Sequence, residues 1–76
     1  MDIRQSLGRN LARLRRENGL SQEAFADVAG LHRTYISGIE RGVRNPTITI
    51  VQKLADALEV PIAALFDTDA DSDAVQ

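Results

Sequence analysis

The sequence predicts an all-α domain of five short helices. Three observations carry that reading. Apolar residues recur at spacings of three and four along most of the chain, the signature of one buried helix face. Glycine or proline punctuates the pattern at Gly19, Gly30, Gly42, Pro46 and Pro61. No strand-period segment is longer than the β-branched run TITIV at 47–51, which flows straight into a helical pattern. At 76 residues the chain makes a single domain over 1–66 with a tail at 67–76. So short a chain buries only about 60% of its unfolded surface, so the core is modest and a partner subunit would help.

Ile3, Leu7, Leu11 and Leu14 define the apolar stripe of a first helix, with Arg4, Arg9, Arg13 and Arg16 mostly on its other faces. Gly19 stops it. Ser21 is a natural N-cap for a second helix over 22–29, with Glu23 favourably placed near its start. Gly30 ends that helix. A third begins near His32 or Arg33 and runs to about Arg41, where Gly42 stops it. VRNP at 43–46 is a loop, because Pro46 biases Asn45 away from helical ψ. Thr47 caps a fourth helix whose Ile50, Val51, Leu54, Ala55 and Leu58 face inward. Pro61 suits the first turn of a short fifth helix ending near Phe66. The tail carries four aspartates and has almost nothing to bury, so it is expected to be disordered.

The second and third helices carry the functional signal. Counted from Gln22, the fifth residue is Ala26, where a larger side chain would push two crossing helices apart. The ninth is Gly30, where the chain turns sharply and positive φ is cheap only for glycine. The tenth, Leu31, plugs the turn. Ile36 and Ile39 face the core with Phe25 and Ala29. That leaves Arg33, Thr34, Ser37 and Arg41 outward, as a polar stripe starting at the helix N-terminal end. In a helix-turn-helix that end reaches base edges in the DNA major groove. Two solvated helices of a small bundle are the bland alternative, which the joint match of residue types at fixed offsets disfavours.

Composition agrees once it is divided. The net charge is −2, yet residues 1–66 hold nine basic and seven acidic groups, a net of +2, and the tail holds the rest of the acid. Eight of the nine bases are Arg, and all but Lys53 precede Pro46. There is no cysteine and one histidine, His32. His32 therefore reads as a helix cap or a backbone contact, and no metal or cofactor is expected. No nucleophile–base pair, paired carboxylates or glycine-rich phosphate loop is supportable, so an enzyme is not expected. With no long apolar run and no apolar N-terminal segment, the expectation is a soluble cytoplasmic protein with no membrane partner.

Residues 4–66 resemble the Xre/Cro–C1-type helix-turn-helix regulators. The resemblance rests on Leu14-Arg15, Gly19-Leu20-Ser21-Gln22-Glu23, Ala26, Ala29-Gly30-Leu31, Tyr35-Ile36-Ser37, Ile39-Glu40-Arg41-Gly42, Pro46-Thr47 and Leu54-Ala55-Asp56-Ala57-Leu58. It implies a five-helix, lambda-repressor-like fold in a prokaryotic transcriptional regulator that is nucleoid-associated when bound. Arg33 through Arg41, followed by Arg44-Asn45, is most similar to the controller proteins of restriction–modification systems.

The resemblance also distributes roles. Arg33, Thr34, Ser37 and Arg44 are the candidate base readers; Arg33 could bind guanine O6 and N7 bidentately. Ser37 is short, and a phosphate or water is its alternative. Ser21, Gln22, Tyr35, Arg41 and Asn45 are the candidate phosphate ligands, Gln22 at a helix N-terminus. Tyr35 reads equally as a core-flanking residue. Gly38 departs from many phage repressors, which have a long polar side chain there. It reads nothing directly, and close backbone approach to DNA is its functional explanation. Arg15 and Glu40 are implied to form a largely buried ion pair.

Double-stranded DNA is the expected partner, with RNA polymerase as a further candidate. A homodimer is expected, because related regulators place two copies about 34 Å apart on pseudo-palindromic sites. Its candidate interface is Ile48, Val60, Ile62, Leu65 and Phe66, although Leu65 and Phe66 read equally as completing the monomer core. An antitoxin or protein-binding module on the same fold is the alternative function.

Overall fold

The structure is a computed structural model and describes residues 2–67. The tail expected over 67–76 lies outside them apart from Asp67. Four α-helices follow one another: α1 (Ile3–Glu17), α2 (Gln22–Ala29), α3 (Arg33–Glu40) and α4 (Ile48–Leu58). A 3-10 helix at Ile62–Phe66 closes the described chain.

Side chains hold the helix starts. The Asp2 carboxylate accepts from the Arg4 N–H at 2.9 Å, Ser21 Oγ from Ala24 at 3.0 Å and Thr47 Oγ1 from Ile50 at 3.2 Å. His32 occupies the cap position of α3 but makes no side-chain cap bond. Gly30 ends α2 at φ 71°, ψ 33°, and the Leu31 N–H returns to the Ala26 carbonyl at 2.9 Å. That left-handed residue swings the chain from α2 into α3.

Phe25, Leu11, Ile36, Ile39, Leu54 and Leu65 are fully buried, and Leu7, Ala26, Val51, Ala55 and Leu58 surround them. Burying each large side chain contributes about 1.5–3 kcal/mol. Leu31, Tyr35 and Ile50 pack half-buried against this core. α1 lies across α3 and the 3-10 helix, while α2 packs on both α3 and α4. At the α1–α3 crossing Gly8 is buried: a Cβ there would stand 2.5 Å from the Ile39 carbonyl oxygen and 2.6 Å from that of Glu40. Asn10, also buried, donates through Nδ2 to the carbonyls of Leu65 (3.0 Å) and Asp67 (2.8 Å), tying the end of the described chain to α1.

Four expectations need correcting. The fifth helix is a 3-10 turn, with Pro61 at its cap rather than inside it; the Ala64 N–H bonds the Pro61 carbonyl three residues back. Leu65 is 0% exposed, because the 3-10 turn drives it between α1 and α4, so it belongs to the core of one chain and offers no surface to a second. Ile3, assigned to the buried stripe, is 65% exposed: it is the first residue of α1 and borders a surface depression instead of entering the core. Ala29 is only half-buried and borders a shallow hollow with Val28, Lys53 and Asp56.

Candidate nucleic-acid interface

α3 is held by its inner face and its C-terminal end, which leaves its N-terminal end and outer face to solvent. Ile36 and Ile39 anchor the inner face in the core. At the C-terminal end, Arg15 Nε donates to Glu40 Oε2 at 2.6 Å and Nη2 to Oε1 at 3.1 Å. The two side chains are 8% and 6% exposed. Arg15 Nη1 also donates to the Leu20 carbonyl at 2.7 Å. This paired, two-point geometry is the strong form of a charged hydrogen bond. The Glu40 carboxylate raises the Arg15 guanidinium above its already high ordinary value, against the opposing effect of burial.

Gln22 joins the same network, its Nε2 donating to Glu40 Oε1 at 3.0 Å. The amide therefore bridges the first residue of α2 to the last of α3. A second N–H on that nitrogen remains for another acceptor. Ser21 is exposed beside it, with its hydroxyl oxygen already accepting at the α2 cap.

On the free face Arg33 and Thr34 are exposed in the first turn, Ser37 is half-buried one turn on, and Arg41 is exposed just past the end. Arg44 and Asn45 are exposed in the following loop. Thr34, Tyr35 and Arg44 border one shallow hollow of about 460 Å³, together with Gly30, Leu31 and His32. The structure thus brings Thr34, Tyr35 and Arg44 to one place, and sets Gln22 and Ser21 at the start of the neighbouring helix. Tyr35 is core-flanking, its ring packed half-buried on the core, and in addition the Arg44 guanidinium carbon lies 5.5 Å from its centroid.

A second feature lies elsewhere. Ile48 is 81% exposed and Ile3 65%. With Arg4, Leu7, Val51 and Phe66 they line an apolar depression of about 250 Å³ that also reaches Asn45 and Pro46. Val60 and Ile62 are half-buried against the core. Ile3 was not foreseen here; its place at the very start of α1, outside any following turn, was the available signal.

Gly8 and Asn10 were missed as well. An isolated glycine inside a helical pattern usually has a packing reason. An asparagine three residues after Leu7 falls on the apolar face, where an amide must find partners.

Known proteins give the comparison. The helix-turn-helix family profile matches residues 11–65. An uncharacterized HTH-type transcriptional regulator, y4dJ of Sinorhizobium fredii, is 50% identical over 60 residues, covering 79% of this chain and 78% of its own. Control protein C.SmaI of Serratia marcescens is 45% identical over 66 residues, covering 87% and 79%. The restriction–modification controller protein C.Esp1396I, solved as a tetramer in complex with its natural 35-base-pair operator, superposes with a TM-score of 0.78 at 36% identity, covering 87% of both chains.

Proposed function

Since the chain belongs to the helix-turn-helix family of transcriptional regulators, we propose that it is a sequence-specific double-stranded DNA-binding regulator of the controller type. It places α3 in the major groove and binds a pseudo-palindromic operator as a homodimer. One observation carries this reading: α3 is clamped at its inner face and far end while Arg33 and Thr34 stand free at its N-terminal end. A helix so held can present side chains to base edges in a fixed orientation. Arg33 is the principal reader, with Thr34, Ser37 and Arg44 beside it. Gln22, Ser21, Tyr35, Arg41 and Asn45 grip phosphates around that contact. In Gln22 the bond to Glu40 fixes the amide so that its remaining N–H can serve this purpose.

The dimer forms over the apolar depression, where Ile48 and Phe66 of the expected interface are joined by Ile3. Val60 and Ile62, half-buried against the core, and the buried Leu65 are not among the residues that line it. The reading places the protein in the cytoplasm of a prokaryotic cell, on the nucleoid when bound, with RNA polymerase as a partner only where it activates. Among the described residues no helix is long and apolar enough to cross a membrane. No catalytic step is part of the reading.

Gel-shift titrations after selection from randomised duplexes test it. Specific binding should weaken steeply with salt and survive excess random DNA. Arg33→Ala should remove preference at one base position, at a cost of about 1–3 kcal/mol. A chain that selects no sequence, or whose binding random DNA competes away, is a protein-binding module instead. Sedimentation of Ile48→Glu addresses the interface: the exposed site leaves the fold intact, and a wild-type dimer should become monomeric.

A further inference from the structure

Gly38 sits in the middle of the helix that meets DNA, yet its backbone does not call for glycine, since φ there is not positive. What requires the missing side chain is Arg44. A Cβ on residue 38 would lie 2.6 Å from Arg44 Cγ, 3.2 Å from Nε and 3.5 Å from Cδ. The arginine stem therefore runs through the gap, and its guanidinium comes to rest over the Tyr35 ring. The loop is fastened to the same residue: the Gly38 carbonyl accepts from the Val43 N–H at 3.0 Å and from the Arg44 N–H at 3.3 Å. Beyond Arg44, Pro46 restricts Asn45 and Thr47 caps α4, so the loop is fixed at both ends.

We propose that Gly38 and Arg44 form a single reading element. The groove left by the absent side chain at 38 seats Arg44, and the loop thereby supplies, across α3, the reader that the helix itself lacks. Gly38 is a positioning residue, acting through Arg44 and not through its own contact with DNA. The Tyr35 ring sets where the guanidinium stops, so an arginine that would otherwise sweep many rotamers is restricted before it meets a base. This inference rests on the DNA-binding function proposed above. It replaces the earlier expectation that Gly38 is glycine so that DNA can approach the backbone.

The experiment compares wild type, Gly38→Ala, Arg44→Ala and the double variant. Gly38→Ala should stay folded, because alanine favours the helix and the displaced atoms belong to a flexible side chain; circular dichroism checks this. In DNA-free protein, the NMR signals of the Arg44 side chain should carry a ring-current shift from Tyr35, the only tyrosine in a chain without tryptophan. Gly38→Ala should abolish that shift. In site selection, Gly38→Ala and Arg44→Ala should lose preference at the same base position, each weakening operator binding roughly 10- to 100-fold. The double variant should be no worse than Arg44→Ala alone. If Gly38→Ala weakens binding as much in the Arg44→Ala background as in wild type, the glycine serves the approach of DNA and the proposal is overturned. It is overturned too if the Arg44 signals do not move while wild type still selects a sequence. If wild type selects no sequence, the DNA-binding reading falls and takes this inference with it.

Discussion

Two glycines sit inside helices here, Gly8 in α1 and Gly38 in α3, and neither has a positive φ. Both are glycine for want of space, but the neighbours differ. At Gly8 the space is filled by the backbone carbonyls of Ile39 and Glu40, which cannot move without unseating α3. At Gly38 it is filled by the side chain of Arg44, which can move at little cost. The first glycine belongs to the frame that aims α3, the second to the surface that α3 presents. A residue type alone does not say which side of that division it serves; the identity of the atoms it makes room for does.

The largest effects should come from breaking the frame. Arg15→Met leaves the Glu40 carboxylate buried against Gln22 alone, and removal of one member of a buried pair costs about 3–5 kcal/mol. For a small domain that is a large share of total stability. Urea unfolding should show the loss. Arg15→Met combined with Glu40→Leu should recover much of it, because the pair is then replaced and not orphaned. A single variant as stable as wild type would mean that the clamp is not what aims α3.

Gly8→Ala comes next. Overpacking against rigid backbone costs about 1–3 kcal/mol, set against roughly 1 kcal/mol that alanine gains in a helix, for a net loss of up to about 2 kcal/mol. Gly38→Ala makes the same exchange of residues and should hold or raise the melting temperature. Opposite signs from one chemical change would sharpen the division between frame and surface; equal losses would erase it.

Much of the frame was legible because its signals are local. Ser21 and Thr47 announce helix starts by their own chemistry, Gly30 announces a turn, and Ile36 and Ile39 show their inward face by spacing. Residues whose partners are distant in sequence were not legible from the pattern; the Arg15–Glu40 pair is implied only by the family resemblance. Asn10 meets carbonyls at 65 and 67, and Gly8 meets 39 and 40; no window along the chain contains both ends of either contact. Ile3 failed for a different reason: its spacing is right, but periodicity does not reveal that the first residue of a helix stays open to solvent. On the surface, the outward stripe of α3 could be read from what points inward. The path of Arg44 could not, because it depends on how a loop folds back over the helix.

A position where conformation, not space, decides extends the contrast. Glu59 ends α4 at φ 57°, ψ 43°, a left-handed conformation that strains a residue with a Cβ. Glu59→Gly should therefore stabilise the fold by about 0.5–1 kcal/mol, seen as a rise of a few degrees in melting temperature. Operator affinity should be unchanged, since Glu59 is not among the residues proposed to contact DNA.

The smallest effect concerns the start of α1. Hydrogen bonds from the Arg4 side chain, and then from the Arg4 backbone N–H, hold the Asp2 carboxyl at about 2, below its ordinary 3.8. A carboxyl depressed by folding contributes stability above its unfolded value and loses it as pH falls through the folded one. The stability difference between wild type and Asp2→Asn should thus be constant at neutral pH and shrink between about pH 4 and pH 2. The pair is exposed, so the difference is small and should fall further in salt. Because asparagine also caps a helix, the variant removes the charge and leaves the cap. A difference that persists unchanged below pH 2 would mean that the carboxylate charge is not its source. Either way the effect stays within the frame, and the Arg44 signals over Tyr35 should not respond.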